Sequence, residues 1–261
     1  MTKIGIIGGG NMGTAIINGI RKKYAVSVCE KDPKRAADLK KKLKVKVADL
    51  EKVVTSSSAI ILAVKPQDFD QILSEIHPCI KKDQLVISIA AGITTIYIEK
   101  RLGGQIRVIR TMPNLPAQIS QGMTGLCKGK HAIRADLNLA CKIFDQIGKT
   151  VVVEEKWLDA ITAVSGSGPA YVFLFVECFQ RAAQALGFNE EEAQALVMQT
   201  LMGSLNLLKQ QNQGAGVLRA RVTSKGGTTQ AAMDVFFKHN IEGIFKEALW
   251  AAKRRAQELS K

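Results

Sequence analysis

Ser224, Gly226, Gly227, Thr228 and Thr229 stand together in the stretch VTSKGGTTQAAMD (222–234), directly ahead of an apolar-rich segment that reads as a helix. A Gly-Gly-Thr-Thr turn feeding a helix leaves backbone N–H groups and hydroxyls aimed outward, a seat for a small carboxylate. A second glycine-serine turn, SGSG at 165–168, opens with Ser165. Near the start of the chain, Gly8, Gly9, Gly10, Asn11, Met12 and Gly13 satisfy GxGxxG immediately after the apolar run that ends at Ile7. In that motif Gly8 permits a tight turn, Gly10 lets backbone approach a pyrophosphate, and Gly13 allows close helix–strand packing. The phosphates then rest on the helix N-terminus. A dinucleotide site and a carboxylate seat in one chain point to hydride transfer.

Hydride transfer leaves open what is reduced, and the missing acid–base residues favour an imine over a ketone. A carbonyl substrate needs a proton partner, normally His or Lys, near the reacting oxygen. No lysine and no histidine occurs from Trp157 through Leu208, and His77, His131 and His239 each stand alone. A protonated cyclic imine lifts that requirement, because hydride attack on it gives a neutral amine and no oxyanion. Such a site must hold the ring, grip its carboxylate and hydrogen-bond its nitrogen. Glu155 is a candidate partner for the iminium charge; the competing reading is a solvated acid at a domain junction.

Six motifs in chain order carry a resemblance: IGIIGGGNMG (4–13), AVKPQ (63–67), AAG (90–92), MPN (112–114), SGSGPAY (165–171) and TSKGGTTQAA (223–232). Together the segments resemble pyrroline-5-carboxylate reductase over almost the whole chain, the last two being the specific part. The resemblance implies reduction of 1-pyrroline-5-carboxylate to L-proline by NAD(P)H and dimerisation through the C-terminal helices. It places Ala63, Val64, Lys65 and Pro66 along the cofactor, with Ala91 and Asn114 on the nicotinamide side. It also implies that Thr229 is the catalytic hydrogen-bond partner of the substrate ring nitrogen. The chain departs from the family's usual pattern at Lys225, where proline is usual, and at Leu115, where threonine is usual.

The elements that must position these residues divide in two. Up to about residue 153, short β-branched runs alternate with helical stretches, which predicts an α/β, Rossmann-type doubly wound parallel sheet. Strands are expected at 3–7, 26–29, 45–47, 59–63, 85–89 and 107–111, with 123–127 and 150–153 as added edge strands. Beyond Glu154 the strand signal ends, and an all-α dimerisation domain is expected over 154–261. The active site is expected in the cleft between the two domains. The helix 168–186 is apolar nearly all round, which implies burial against a second copy in a homodimer or higher oligomer. At the end of the second strand Glu30 lies where an acid reads the ribose of NAD. Lys31, Lys34 and Arg35 follow at once and suit a 2′-phosphate, so the residues point both ways; the resemblance implies NADPH, with NADH as the alternative.

Composition narrows the class. The chain has 261 residues, 46% of them hydrophobic and only 5% aromatic, so its cores must be aliphatic. The net charge of +14 is concentrated early, with twelve Lys or Arg against four acids in the first fifty residues. Without interleaved aromatics or a nucleic-acid motif, that charge reads as a solvated surface that attracts anionic ligands, and no nucleic-acid partner is expected. The five cysteines form no CxxC pair, which fits reduced thiols and no metal site. No apolar run approaches 18 residues and the first strand starts by Lys3, so no membrane span or signal peptide is expected and the location expected is cytoplasmic. Two other readings stay open: a nucleotide-sensing protein without catalysis, and an oxidoreductase of the β-hydroxyacid dehydrogenase kind.

Overall fold

The computed structural model describes residues 1–260. Eight strands form one sheet: β1 (Lys3–Ile7), β2 (Ala25–Cys29), β3 (Lys46–Val47), β4 (Ala59–Leu62), β5 (Leu85–Ser88), β6 (Arg107–Met112), β7 (Gly122–Lys128) and β8 (Gly148–Val152). Their order is β3-β2-β1-β4-β5-β6-β7-β8. The first six are parallel and follow the dinucleotide-binding order, with the reversal between β1 and β4. β7 runs antiparallel to β6. The link 113–121 is too short for a parallel return, which takes a dozen or more residues. β8 then pairs parallel with β7. Of the two expected edge strands, only β8 is an edge; β7 lies inside the sheet.

The period-two alternation of the central strands feeds two aliphatic cores, one on each face. Ala59 and Ile61 of β4 join Ile4, Ile6, Ile87 and Ile109 under helices α1 (Asn11–Ile20) and α6 (Arg134–Phe144). Ile60 and Leu62 join Ile7, Val86 and Val108 under α4 (Phe69–Ile76) and α5 (Thr95–Arg101). Helix α2 (Pro33–Asp38) starts as its sequence signals, with Asp32 accepting from the Arg35 N–H and Pro33 in the first turn. It passes into a π turn at Leu39–Leu43 and ends at Lys44, which has φ 55°. The sequence reading does not anticipate α3 (Leu50–Thr55). Its Val53, Val54 and Thr55 favour strands, yet burying both valines and capping by Asp49 make it helical.

Six helices complete the chain: α7 (Leu158–Ile161), α8 (Gly168–Ala185), α9 (Glu190–Gln211), α10 (Ala215–Arg221), α11 (Thr228–Lys238) and α12 (Ile241–Glu258). Compactness does not divide the chain at 153/154. One unit comprises Met1–Pro169 and the segment from Trp250 on; the other comprises Ala170–Leu249. The reason is packing: Leu158 is fully buried, a Cβ on Gly125 of β7 would meet Ile161, and one on Gly92 would meet the Leu259 carbonyl.

Within the second unit the core is small, with Ala183, Ala193 and Val197 packed by Val176 and Leu201. Asn189 and Glu192 form a capping box at the start of α9. Helix α8 keeps only Ala183 buried within its own chain, while Phe173 and Leu174 are well over half exposed. The helical run Glu155–Ala185 is long and apolar enough, by length and composition, to cross a membrane. Alanines, valines and phenylalanines raise the mean hydropathy, although Asp159, Ser165, Ser167, Glu177 and Arg181 keep every continuous apolar run short.

Candidate active site

The turn after β1 is shaped by Gly8, which has φ +101°. A Cβ there would lie 2.6 Å from the Ala63 carbonyl oxygen, so only glycine lets β1 and the end of β4 approach this closely. The α1 N-terminus has Gly10 as its N-cap and no side-chain cap, so its first-turn N–H groups have no side-chain acceptor. Gly10 faces open space, with nothing within 4 Å of where a Cβ would be. A cavity of about 590 Å³ opens beside it, lined by Ile7, Gly8, Gly10, Lys31, Ala63, Val64 and Lys65 among others. Gly9 and Asn11 line a neighbouring hollow of about 470 Å³. Met12 packs on the core, Gly13 is buried, and Pro66 starts the 3-10 turn Pro66–Asp68. A bare helix N-terminus, an unobstructed glycine and a cavity of about 590 Å³ at the sheet's reversal fit a dinucleotide.

Glu30 sits at the heart of this arrangement. Its Oε2 accepts from the Gly9 N–H at 2.6 Å and its Oε1 from the Asp32 N–H at 2.8 Å. Arg35 pairs with it at 3.4 Å, and the Glu30 side chain is only 4% exposed. Arg35 also lines both hollows. Sequence separation hides the Glu30–Gly9 bond, because the two lie 21 residues apart on different strands' ends.

Just past the end of β6, Asn114 works as a bridge. Its amide donates to the Ser165 carbonyl at 3.0 Å while its oxygen accepts from the Met123 N–H at 2.8 Å. The end of β6 is thus tied to β7 and to the π turn Thr162–Gly166. The Ser165 hydroxyl donates back to the Ile161 carbonyl at 3.2 Å. Ala91 lies in the turn after β5, between the strand and α5.

Glu155 is not a solvated linker acid, and its carboxylate is already engaged. One oxygen accepts from the Thr95 N–H at 2.8 Å, the other from the Thr95 hydroxyl at 2.6 Å. Arg110, 4% exposed, reaches Glu155 at 3.4 Å and Asp159 at 3.0 Å. A carboxylate at the α5 N-terminus also meets the positive end of the helix dipole. Glu155, the candidate partner for a substrate cation, anchors α5 through these bonds.

Beside this network, burial first and then the Glu155 carboxylate push the Cys127 thiol up to about 12. At pH 8 only about one Cys127 in ten thousand is then a thiolate, the reactive form. Iodoacetamide at pH 8 should leave Cys127 unmodified in the folded protein and alkylate it in denaturant, as read by peptide mass spectrometry. Prompt labelling of folded protein at Cys127 would contradict this burial.

The Ser224 turn is built as the sequence implies. The Gly227 N–H donates to the Ser224 carbonyl at 3.0 Å, closing a four-residue turn. Gly226 occupies its third position with φ +73°, a conformation that favours glycine. A Cβ on Gly227 would collide with the Ser224 hydroxyl. Helix α11 begins at Thr228, with Gly227 as an N-cap that offers no side-chain bond. Its first N–H groups therefore lack a side-chain acceptor, and Ser224, Gly226 and Thr228 are exposed while Thr229 is half-buried. Thr229 is the second helical residue and does not cap its helix.

Comparison with known proteins decides the family. Residues 155–259 match the family model for pyrroline-5-carboxylate reductase dimerisation, and residues 3–92 match that for NADP oxidoreductase, coenzyme F420-dependent. The chain is 36% identical to pyrroline-5-carboxylate reductase 2 of Bacillus subtilis, over 99% of this chain and 95% of that protein. It is 38% identical to the Synechocystis pyrroline-5-carboxylate reductase, over 99% and 98%. The chain belongs to the pyrroline-5-carboxylate reductase family. Among solved structures, the Coxiella burnetii reductase superposes with a TM-score of 0.92 at 37% identity, covering 100% of this chain and 99% of that one. The Plasmodium falciparum reductase with NADP bound superposes at 0.89 with 28% identity, covering 100% and 98%. In this pyrroline-5-carboxylate reductase family member, the NADP oxidoreductase match spans the glycine cradle. The dimerisation match begins at Glu155 and includes the exposed apolar α8.

Proposed function

We infer that this chain reduces 1-pyrroline-5-carboxylate to L-proline with NAD(P)H. The observation that carries the reading is end-to-end similarity to curated reductases at 36–38% identity. Both the glycine cradle and the Gly-Gly-Thr-Thr turn stand inside that similarity. The nicotinamide, when bound, supplies the hydride. The chain's own groups do the binding. Gly8, Gly9, Gly10 and Asn11 present backbone to the pyrophosphate, while Ala63, Val64, Lys65 and Pro66 follow the cofactor along the end of β4. Ala91 and Asn114 frame the nicotinamide side, and the Asn114 bridge keeps the Ser165 turn in place.

The substrate carboxylate takes the first-turn N–H groups of α11 and the hydroxyls of Ser224 and Thr228, with Gly226 and Gly227 leaving room for its approach, where the α11 dipole favours an anion. Thr229 hydrogen-bonds the ring nitrogen. Because the imine carbon is electrophilic once the nitrogen is protonated, no lysine or histidine is needed for an oxyanion. Glu155 acts at one remove, holding Thr95 and through it the segment after Ala91. The protein is a homo-oligomer, joined through α8 and its neighbouring helices; the apolar surface of the 155–185 run is spent on that contact and not on a membrane.

Purified protein should oxidise NADH or NADPH on adding 1-pyrroline-5-carboxylate, with proline appearing in equal amount. Cofactor binding without turnover would remove the enzyme reading and favour a nucleotide sensor.

A further inference from the structure

The structure assigns Glu30 as the residue that selects the cofactor at the adenosine ribose, in favour of NADH over NADPH. This rests on the dinucleotide reading of the cavity beside Gly8 and Gly10, and goes beyond it to the 2′-position. The basic run Lys31, Lys34 and Arg35 argues for a 2′-phosphate from sequence; three features of the site argue the other way.

First, Glu30 cannot swing aside. Its two oxygens are held by the Gly9 and Asp32 N–H groups at 2.6 and 2.8 Å, with the side chain almost wholly buried. It is therefore fixed against Gly9, between the first two signature glycines of the fingerprint, on the side where an acid meets the ribose diol. A carboxylate can accept about four hydrogen bonds, so room remains for a 2′-hydroxyl donor, whereas a phosphate offers no such proton. Second, Arg35 is already paired with that carboxylate at 3.4 Å. Binding a phosphate with it would leave a buried anion facing the new one. Third, the cavity is acidic where the basic run is counted as its neighbour. Glu30, Asp32, Asp68 and Glu75 line it, against Lys31, Lys65 and Arg35. Cys29 in the same wall has its thiol pushed up by burial and then by Glu30, Asp49 and Glu75, a sign of the same negative field. A dianionic 2′-phosphate would enter that field next to a carboxylate that cannot leave, and like charges brought together are strongly disfavoured.

The test is binding without imine: fluorescence titration of the purified full chain with NADH and with NADPH, for the wild type and for Glu30→Gln. Glutamine keeps the acceptor for the Gly9 N–H and removes the charge. The wild type should bind NADH about ten- to a hundredfold more tightly than NADPH, the range of one hydrogen bond to a charged group. Glu30→Gln should bring the two affinities together, mainly by tightening NADPH. The shorter pair ADP and 2′,5′-ADP should show the same reversal, locating the effect at the ribose. Equal or tighter NADPH binding by the wild type overturns the assignment, as does a preference for NADH that Glu30→Gln leaves intact. If both dinucleotides bind as stated and no proline forms, the reductase reading fails and Glu30 keeps its role. If neither binds, both fail.

Discussion

Replacing Arg110 with methionine is expected to destabilise the dinucleotide-binding unit by about 3–5 kcal/mol, the usual cost of removing one partner from a buried ion pair. The guanidinium is 4% exposed and serves two carboxylates, Glu155 and Asp159, at 3.4 and 3.0 Å. Methionine fills the space but leaves both anions without their cation. The value belongs near the lower end of that range, because the Glu155 side chain is 28% exposed and still accepts two bonds from Thr95. For a unit of this size each kcal/mol moves the thermal midpoint by about 2–4 °C, so a fall of roughly 6–12 °C should be read by calorimetry or circular dichroism. A double variant, Arg110→Met with Asp159→Leu, should recover much of the loss, since a buried ion pair is often replaced by apolar residues at little cost. A midpoint unchanged in Arg110→Met would mean that the network contributes nothing, and failure of the double variant to recover would point to shape and not charge.

The second large effect concerns Thr229. Thr229→Val keeps the side-chain shape and deletes the hydroxyl proposed to bind the substrate ring nitrogen. Loss of one hydrogen bond to a charged group costs about 1.5–3 kcal/mol, or roughly ten- to a hundredfold in kcat/KM. Stability should hardly change, because the N-cap of α11 is Gly227 and has no side-chain bond to lose. Cofactor affinity should also hold, as the glycine cradle lies on β1 and α1. Thr229→Ser, which restores the hydroxyl, should regain most of the activity. Wild-type kcat/KM in Thr229→Val would show that the hydroxyl has no part in the reaction.

Lys225 bears on the same turn. The family's usual proline would pre-set the second position of a turn whose third, Gly226, has positive φ. The turn here closes without it, through the Gly227 N–H to the Ser224 carbonyl. Leu115, the other departure from the family's pattern, starts the 3-10 turn Leu115–Ile119 and is exposed.

What the sequence determined by itself is local. The GxGxxG turn, the Asp32-Pro33 start of α2, the Asn189–Glu192 box of α9 and the glycine turn before α11 each depend on residues a few positions apart. Their backbone and capping preferences act before any tertiary contact exists. The parallel order of β1–β6 is legible for a related reason, since helices between short apolar strands force right-handed crossovers. Tertiary structure decided what joins distant residues. The antiparallel entry of β7 depends on how short a link can turn back, and the helicity of 50–55 on burying Val53 and Val54 against local preference. Glu155 reads as a lone acid until folding brings Thr95, 60 residues away, and Arg110, 45 away, against it. Glu30 in a run of lysines looks outvoted until the Gly9 N–H is seen to hold it. A charge's effect is set by its nearest neighbours in space and by its burial, and only the folded chain supplies both.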